Sequence, residues 1–155
     1  MHKLLPRNGS LKLGHISDLP RHIWLLLAVY FVASGAHFVH NAAYIAYYPN
    51  MPTWITSDRV YLAWSVVTAV GITGLVALRL RRHAAAAVFI ALYGALGLDG
   101  LAHYTLALCS EHTFITNVTI WSEAISGLCL FVASAPLVTE RGLHRLPPND
   151  GGLAG

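Results

Sequence analysis

The chain has 155 residues, of which 55% are hydrophobic and only 11% charged, with a formal net charge of +3. A soluble domain usually carries about 25% charged residues, so an ordinary water-soluble globule is excluded. The length limits the chain to one compact domain. The excess of positive charge is not a nucleic-acid signal, because the basic residues sit at the edges of long apolar runs.

Those runs follow one another along the chain. The N-terminal segment, residues 1–21, carries Lys3, Arg7, Lys12 and Arg21. It reads as a cytoplasmic leader rather than a signal peptide, because the apolar run behind it is too long and has no small-residue cleavage site. A first span is expected over 22–48, stopped by Pro49, Asn50 and Pro52. Ser57 and Asp58 offer an N-cap to a second span over 59–80, which closes on Arg79, Arg81 and Arg82. A third span is expected over 84–108. A short loop with Glu111 and His112 leads to a fourth over 114–138, followed by Glu140, Arg141 and Arg145. Residues 140–155 read as a flexible Pro/Gly-rich cytoplasmic tail. Each run suits a membrane-crossing helix, which needs roughly 20 apolar residues.

Lys and Arg alternate by side. They cluster in the leader, in the second loop and in the tail. The first loop holds only Arg59 and the third loop none. The positive-inside rule then puts both ends in the cytoplasm. The expectation is an all-α, four-transmembrane-helix bundle in a multi-pass membrane protein, with a bacterial inner membrane as the setting. Trp24, Trp54, Tyr47, Tyr48 and Tyr61 fall near the expected interfaces, where aromatic belts form. Cys109 and Cys129 are too far apart in depth for a bridge and read as packing residues. No internal repeat suggests an inverted-repeat transporter.

The acidic residues inside the spans are Asp99 and Glu123. A mid-membrane carboxylate costs about 2.5–3.5 kcal/mol on insertion scales, so each needs a partner or a purpose. At about 1.5 Å of rise per residue, His37, His40, Asp99, His103 and Glu123 lie within roughly 9 Å of one another in depth, in the outer half. His37, His40 and Asn41 share one face of the first span by helical spacing. Asp99 and His103, four apart, are expected to share a face of the third, continued inward by Ala95, Ala91 and Ala87. Glu123 is flanked at helical spacing by Thr116, Thr119, Ser126 and Gly127, and Gly94, Gly97 and Gly100 read as packing residues.

Three imidazoles and two carboxylates from facing helices are the ingredients of a metal site. The expectation is a divalent transition metal, zinc or iron, on His37, His40, His103, Asp99 and Glu123. Asn41 and Thr119 would support the ligands, and Glu123 or Asp99 would act as acid/base. That points to a metal-dependent membrane enzyme, a hydrolase or oxidoreductase, acting on a lipid-like or small substrate. Partners would be the bilayer and the substrate, with homo-oligomers allowed and no nucleic acid.

Blander accounts compete. The histidines can be hydrogen-bonded interior residues, Asp99 with His103 a self-neutralising pair, and Glu123 a carboxyl bonded to a histidine. Haem between His40 and His103 is an alternative cofactor, giving a b-type electron-transfer protein. A non-catalytic metal- or proton-handling subunit is another. His112 and Glu111 read as solvated loop residues, and His2, His15, His22, His83 and His144 as surface residues on the cytoplasmic side.

Overall fold

The computed structural model describes residues 19–143. The leader with His2 and His15, and the tail with His144 and Arg145, lie outside the described residues. Within them the structure is all helix: α1 (Arg21–Ala43), α2 (Ser57–Arg79), α3 (His83–Leu96), α4 (His103–Leu106) and α5 (Phe114–Leu143). A six-residue 3₁₀ segment, Gly97–Ala102, joins α3 to α4 so that His83–Leu106 forms one continuous rod. Among the described residues, α1, α2, this rod and Phe114–Val138 of α5 are each long and apolar enough to cross a membrane. These four helices suggest a multi-pass membrane protein.

The rods pack in a ring in which α3 touches α2 and α5, while α1 touches α5 and α2. The connections are short, so neighbours run antiparallel. One half of the bundle is a core of Ile23, Leu27, Tyr30, Ala86, Ile90, Tyr93 and Leu130, all buried. The outward faces carry Leu25, Val32, Leu62, Val66, Ile72 and Val132, all exposed. That inversion of a soluble surface is what a hydrocarbon solvent requires.

Three boundaries differ from the sequence expectation, each for a local reason. Helix α1 ends at Ala43, well short of Tyr48, and a 3₁₀ turn over Ile45–Tyr47 follows. The chain then folds back, and Tyr48 is buried at 6% exposure instead of standing in an interfacial belt. Ser57 does not cap its own helix. Its hydroxyl donates to the Ala42 carbonyl at 2.8 Å, satisfying one of the acceptors that a helix C-terminus leaves open. The α2–α3 corner is a Schellman turn, with Arg82 N–H donating to the Ala77 carbonyl and Arg81 N–H to Leu78. Arg81, not glycine, occupies the left-handed position at φ 57°.

The rod carrying Asp99 and His103 meets α5 through glycines. A Cβ at Gly94 would sit 2.6 Å from the Phe131 nitrogen and 2.8 Å from the Gly127 oxygen. One at Gly127 would sit 2.6 Å from the Gly94 oxygen. Backbone meets backbone here, as small-residue stripes in membrane bundles allow. The stripe Gly94, Gly97, Gly100 has a period of three. A 3₁₀ helix turns in about three residues, so it keeps Gly97 and Gly100 stacked against α5.

Candidate functional site

That 3₁₀ segment decides what faces the interior. Asp99 precedes Gly100 by one residue, and one 3₁₀ step is about 120°. With Gly100 buried against α5, Asp99 turns outward and is exposed. Residues four apart, separated by about 40° in an α-helix, diverge by roughly 120° when the turn tightens to three residues. Asp99 is exposed rather than packed against α5, and it shares with His103 the wall of a cleft between α1, α2 and the rod.

His37 is the centre of what does meet. It is 2% exposed. Its Nδ1 lies 3.3 Å from Thr119 Oγ1, and Thr119 in turn donates to the Thr116 carbonyl at 2.9 Å. Asn41 Nδ2 donates to His37 Nε2 at 3.0 Å and to His103 Nε2 at 3.1 Å. This network fixes the tautomer: an Nδ1–H toward Thr119 leaves Nε2 of His37 as an acceptor. Glu123, 1% exposed, places Oε2 3.5 Å from that same Nε2. Gly100 makes the approach possible, since a Cβ there would lie 3.0 Å from Glu123 Oε2 and 3.7 Å from His37 Nε2. Helices α1 and α5 and the glycine-bearing rod thus bring Glu123, His37, Asn41, Thr119 and His103 into one cluster.

His40 belongs elsewhere. It and Asn41 are adjacent in sequence and so about 100° apart around α1. While Asn41 turns to the cluster, His40 Nδ1 hydrogen-bonds the Tyr48 hydroxyl at 2.9 Å. His40 lines a separate recess with Tyr44, Tyr47, Tyr48 and Thr116. Burial pushes the Tyr48 phenol up to about 12. The Tyr48 ring lies 6.0 Å from His40 and 5.1 Å from His103 between ring centres. A haem bridging those two histidines would have to displace it. Among the described residues, no three His, Cys, Asp or Glu side chains are placed to hold a metal ion together.

His112 is a second correction. Rather than standing in solvent, it is buried under the Cys109–His112 turn, with its ring 6.2 Å from His103, 6.1 Å from Tyr48 and 5.7 Å from Tyr104. The turn is held down because Asn117 Nδ2 donates to the Cys109 carbonyl (2.9 Å) and Tyr104 donates to Asn117 Oδ1 (2.8 Å). Cys109 and Cys129 are both free and exposed.

The cluster opens sideways. A cleft of about 490 Å³ between α1, α2 and the 3₁₀ rod is lined by His37, Asn41, His103 and Glu123 at its end, with Arg59 and Asp99 also on its wall. Glu123 Oε2 and Asn41 Oδ1 are buried without a hydrogen-bond partner. A buried acceptor left unpaired costs about 1–3 kcal/mol, and native structures rarely tolerate it without a reason. Deeper in the bundle, Tyr30 and Tyr93 meet edge-on at 4.5 Å between ring centres. Tyr30 lies beside Ser34 and Tyr93 beside Thr68. Sequence reasoning passed over Tyr30 and Tyr93, read Tyr48 as a belt residue and Gly100 as a packing glycine. Tyr30 and Tyr93 had a signal, a polar tip away from either end of a span. That Gly100 makes room for Glu123 beside His37 shows only with the neighbours across the seam.

No protein-family model, no curated protein and no solved structure matches the chain. The chemistry is read from the geometry alone. The cluster offers an imidazole acceptor nitrogen facing a carboxyl across 3.5 Å, an amide tying two imidazoles, and two open acceptor oxygens at the end of a side cleft.

Proposed function

We propose that the chain is a multi-pass membrane protein that carries out acid–base chemistry on a small or lipid-like substrate, with His37 and Glu123 as the working pair. The helices insert with the leader, the α2–α3 corner and the tail on the cytoplasmic side, so the cluster lies in the outer half of the bilayer. The supporting charge pattern is Arg79, Arg81 and Arg82 at one end of the ring against Arg59 alone at the other. A bacterial inner membrane remains the setting we favour.

The observation that carries this reading is Glu123 Oε2, fully buried, unpartnered, and 3.5 Å from His37 Nε2 at the end of the side cleft. A carboxyl O–H there can deliver a proton to substrate while the imidazole lone pair accepts one. Asn41 and Thr119 hold the imidazole ring in the matching tautomer. The test is infrared titration of the full-length protein in detergent micelles, with the Glu123 carbonyl band assigned by its loss in Glu123→Gln. His37→Gln is expected to move the midpoint of that band. A band that ignores His37→Gln would overturn the pair.

A metal-dependent form of the same cluster, hydrolase or oxidoreductase, is the second reading. It is favoured by one feature: the Nε2 atoms of His37 and His103 both lie against Asn41 Nδ2, at 3.0 and 3.1 Å, beside Glu123. Zinc or iron there would require Asn41 to swing aside, with His37, His103 and Glu123 as the residues to hold it. Elemental analysis of protein purified without a His-tag column decides it. Stoichiometric metal that falls in His103→Ala supports this form, and metal-free protein ends it.

A further inference from the structure

The side cleft carries opposite charges at its two ends. Its wall comes from α1, α2, the 3₁₀ rod, Glu123 of α5 and the loop before α2. Chain direction orders these residues. Helix α1 and the rod run toward that loop, and α2 runs away from it. Asn50 of the loop donates to the Leu106 carbonyl at 2.8 Å, which fixes the outer end of the rod there. Arg59, Trp54 and Leu106 therefore mark the loop end of the cleft, while His37, Asp99 and Glu123 mark its inner end. On α2 the lining steps from Arg59 to Ala63, one helical turn or about 6 Å. Arg59 is exposed on this wall, and its Nη1 donates to the Trp54 carbonyl at 2.8 Å. Among the described residues no carboxylate pairs with it, so most of its N–H fork faces the cleft mouth without an anion. Asp99 is exposed at the other end, next to the Gly100 position that admits Glu123 Oε2.

We infer that this cleft takes a phosphate-headed lipid ester: the phosphate sits on Arg59 at the loop end, and the ester carbonyl lies about one turn farther in, against the Glu123 carboxyl. The inference rests on the reading of Glu123 and His37 as the working pair, and it names the substrate class. In that reading Glu123 carries the proton and His37 Nε2 presents a lone pair. The inner end then calls for an acceptor opposite the carboxyl O–H, and a carbonyl oxygen is one. Asp99 on the same wall excludes a negative group from the inner end, because like charges in a poorly solvated cleft repel. An anion has one favourable place, the Arg59 fork, which suits phosphate. A glycerol unit between phosphate and acyl ester supplies the step from one end to the other. A fatty acid would put its carboxylate on Arg59 and only methylenes against Glu123. An amine head would meet Asp99 and leave Arg59 without an anion. The rest of the wall includes Phe38, Ile55, Val60 and Leu106 and is apolar. The cleft opens sideways, so the acyl chain leaves it directly for the bilayer and needs no tunnel through the bundle.

The test follows the Glu123 carbonyl band of the full-length protein in maltoside micelles as lipid is added. The probes share a palmitoyl ester, ¹³C-labelled at its carbonyl so that its own band moves clear, and differ in the head. They are lysophosphatidylglycerol, monopalmitoylglycerol and palmitoylcholine. The phosphate lipid is expected to shift the Glu123 band saturably, with a midpoint about tenfold lower than that of the neutral ester, the worth of one charge-assisted hydrogen bond. Arg59→Gln should remove that advantage and leave the neutral ester's midpoint where it was, and Arg59→Lys should restore part of it. Arg59 is exposed, so these variants keep the fold. A band that does not shift saturably, one midpoint for all three heads, or a phosphate midpoint that ignores Arg59→Gln overturns the inference, because an arginine that merely meets bulk lipid gives those results. Preference for the choline ester overturns the head chemistry. Glycerol 3-phosphate, which has the phosphate and no chain, is expected to be far weaker, and equal potency makes the ligand a water-borne phosphate and overturns the lipid. The acid–base reading is decided separately, by how His37→Gln moves the same band with no lipid added.

Discussion

Asn41 Nδ2 lies 3.1 Å from His103 Nε2 and so ties the first span to the third through a neutral amide. The sequence suggested Asp99, four residues away on the same span, as a partner for His103. The amide makes the link without a second buried charge, and because the same nitrogen also meets His37 at 3.0 Å, one side chain sets the orientation of two imidazoles.

Removing that link has a predictable cost. Asn41→Leu deletes two hydrogen bonds and leaves the buried His37 Nε2 and the half-buried His103 Nε2 without this donor. The expected loss is about 1–3 kcal/mol for such unsatisfied groups. Denaturant unfolding of the micelle-solubilised variant measures it, and a loss below about 0.5 kcal/mol, the range of neutral surface changes, would show that the amide does not hold the spans together.

Two glycine variants separate packing from site geometry. At Gly94 an added Cβ meets backbone atoms at 2.6 and 2.8 Å, so Gly94→Ala must push α5 away and should destabilise by about 1–3 kcal/mol. At Gly100 the Cβ meets the end of the Glu123 side chain at 3.0 Å, which can rotate. Gly100→Ala should therefore fold nearly normally yet separate Glu123 from His37. Thermal melts rank their stabilities, and the Glu123 infrared band reports the site. Equal melts for both variants would contradict the glycine seam.

Tyr48 supplies an alkaline signature. Its folded value of about 12 lies above the ordinary 10.0 because burial disfavours the phenolate. The unfolded chain therefore loses this proton first, and stability falls as pH rises from about 10 toward 12. Below pH 10 the hydroxyl is neutral in both states and adds no slope. Tyr48→Phe should flatten part of that alkaline loss, read from unfolding midpoints against pH. It should also release His40 from its 2.9 Å partner. An unchanged slope would mean that Tyr48 is not buried as described.

The free cysteines test the proposed orientation. Cys109 is exposed on the turn before α5 and Cys129 is exposed within the α5 span. A membrane-impermeant maleimide applied to intact cells should label Cys109 and spare Cys129, which the proposed insertion turns toward hydrocarbon. Labelling of Cys109 only after the cytoplasmic side is opened would invert the topology.

Legibility tracked the range of the interaction. Glu123 and His37 could be matched by depth because helical rise is uniform and both lie in regular α-helix. His40 could not be separated from Asn41 by that argument, since depth says nothing of which flank of α1 meets which neighbour. Asp99 was expected on the packed interior side under α geometry, whereas the 3₁₀ turn over Gly97–Ala102 leaves it exposed on the cleft wall. The three-residue glycine period was visible, but only contact with α5 shows that the backbone tightens to keep those glycines in register. His112 was read as solvent-facing because loop polarity was the only guide, whereas the tether from Asn117 to the Cys109 carbonyl folds that turn inward.

By itself the sequence determined four apolar helices and the depth at which their polar residues lie, because apolar run length and rise per residue are local quantities. Only the tertiary structure decided that Asn41 joins the histidines, that Asp99 lies exposed on the cleft wall, and that Glu123 Oε2 meets His37 Nε2 at 3.5 Å beside that cleft. Those outcomes depend on rotation about each helix axis, and rotation is set by which backbones can touch. Here that is decided across the seam by Gly94, Gly97, Gly100 and Gly127.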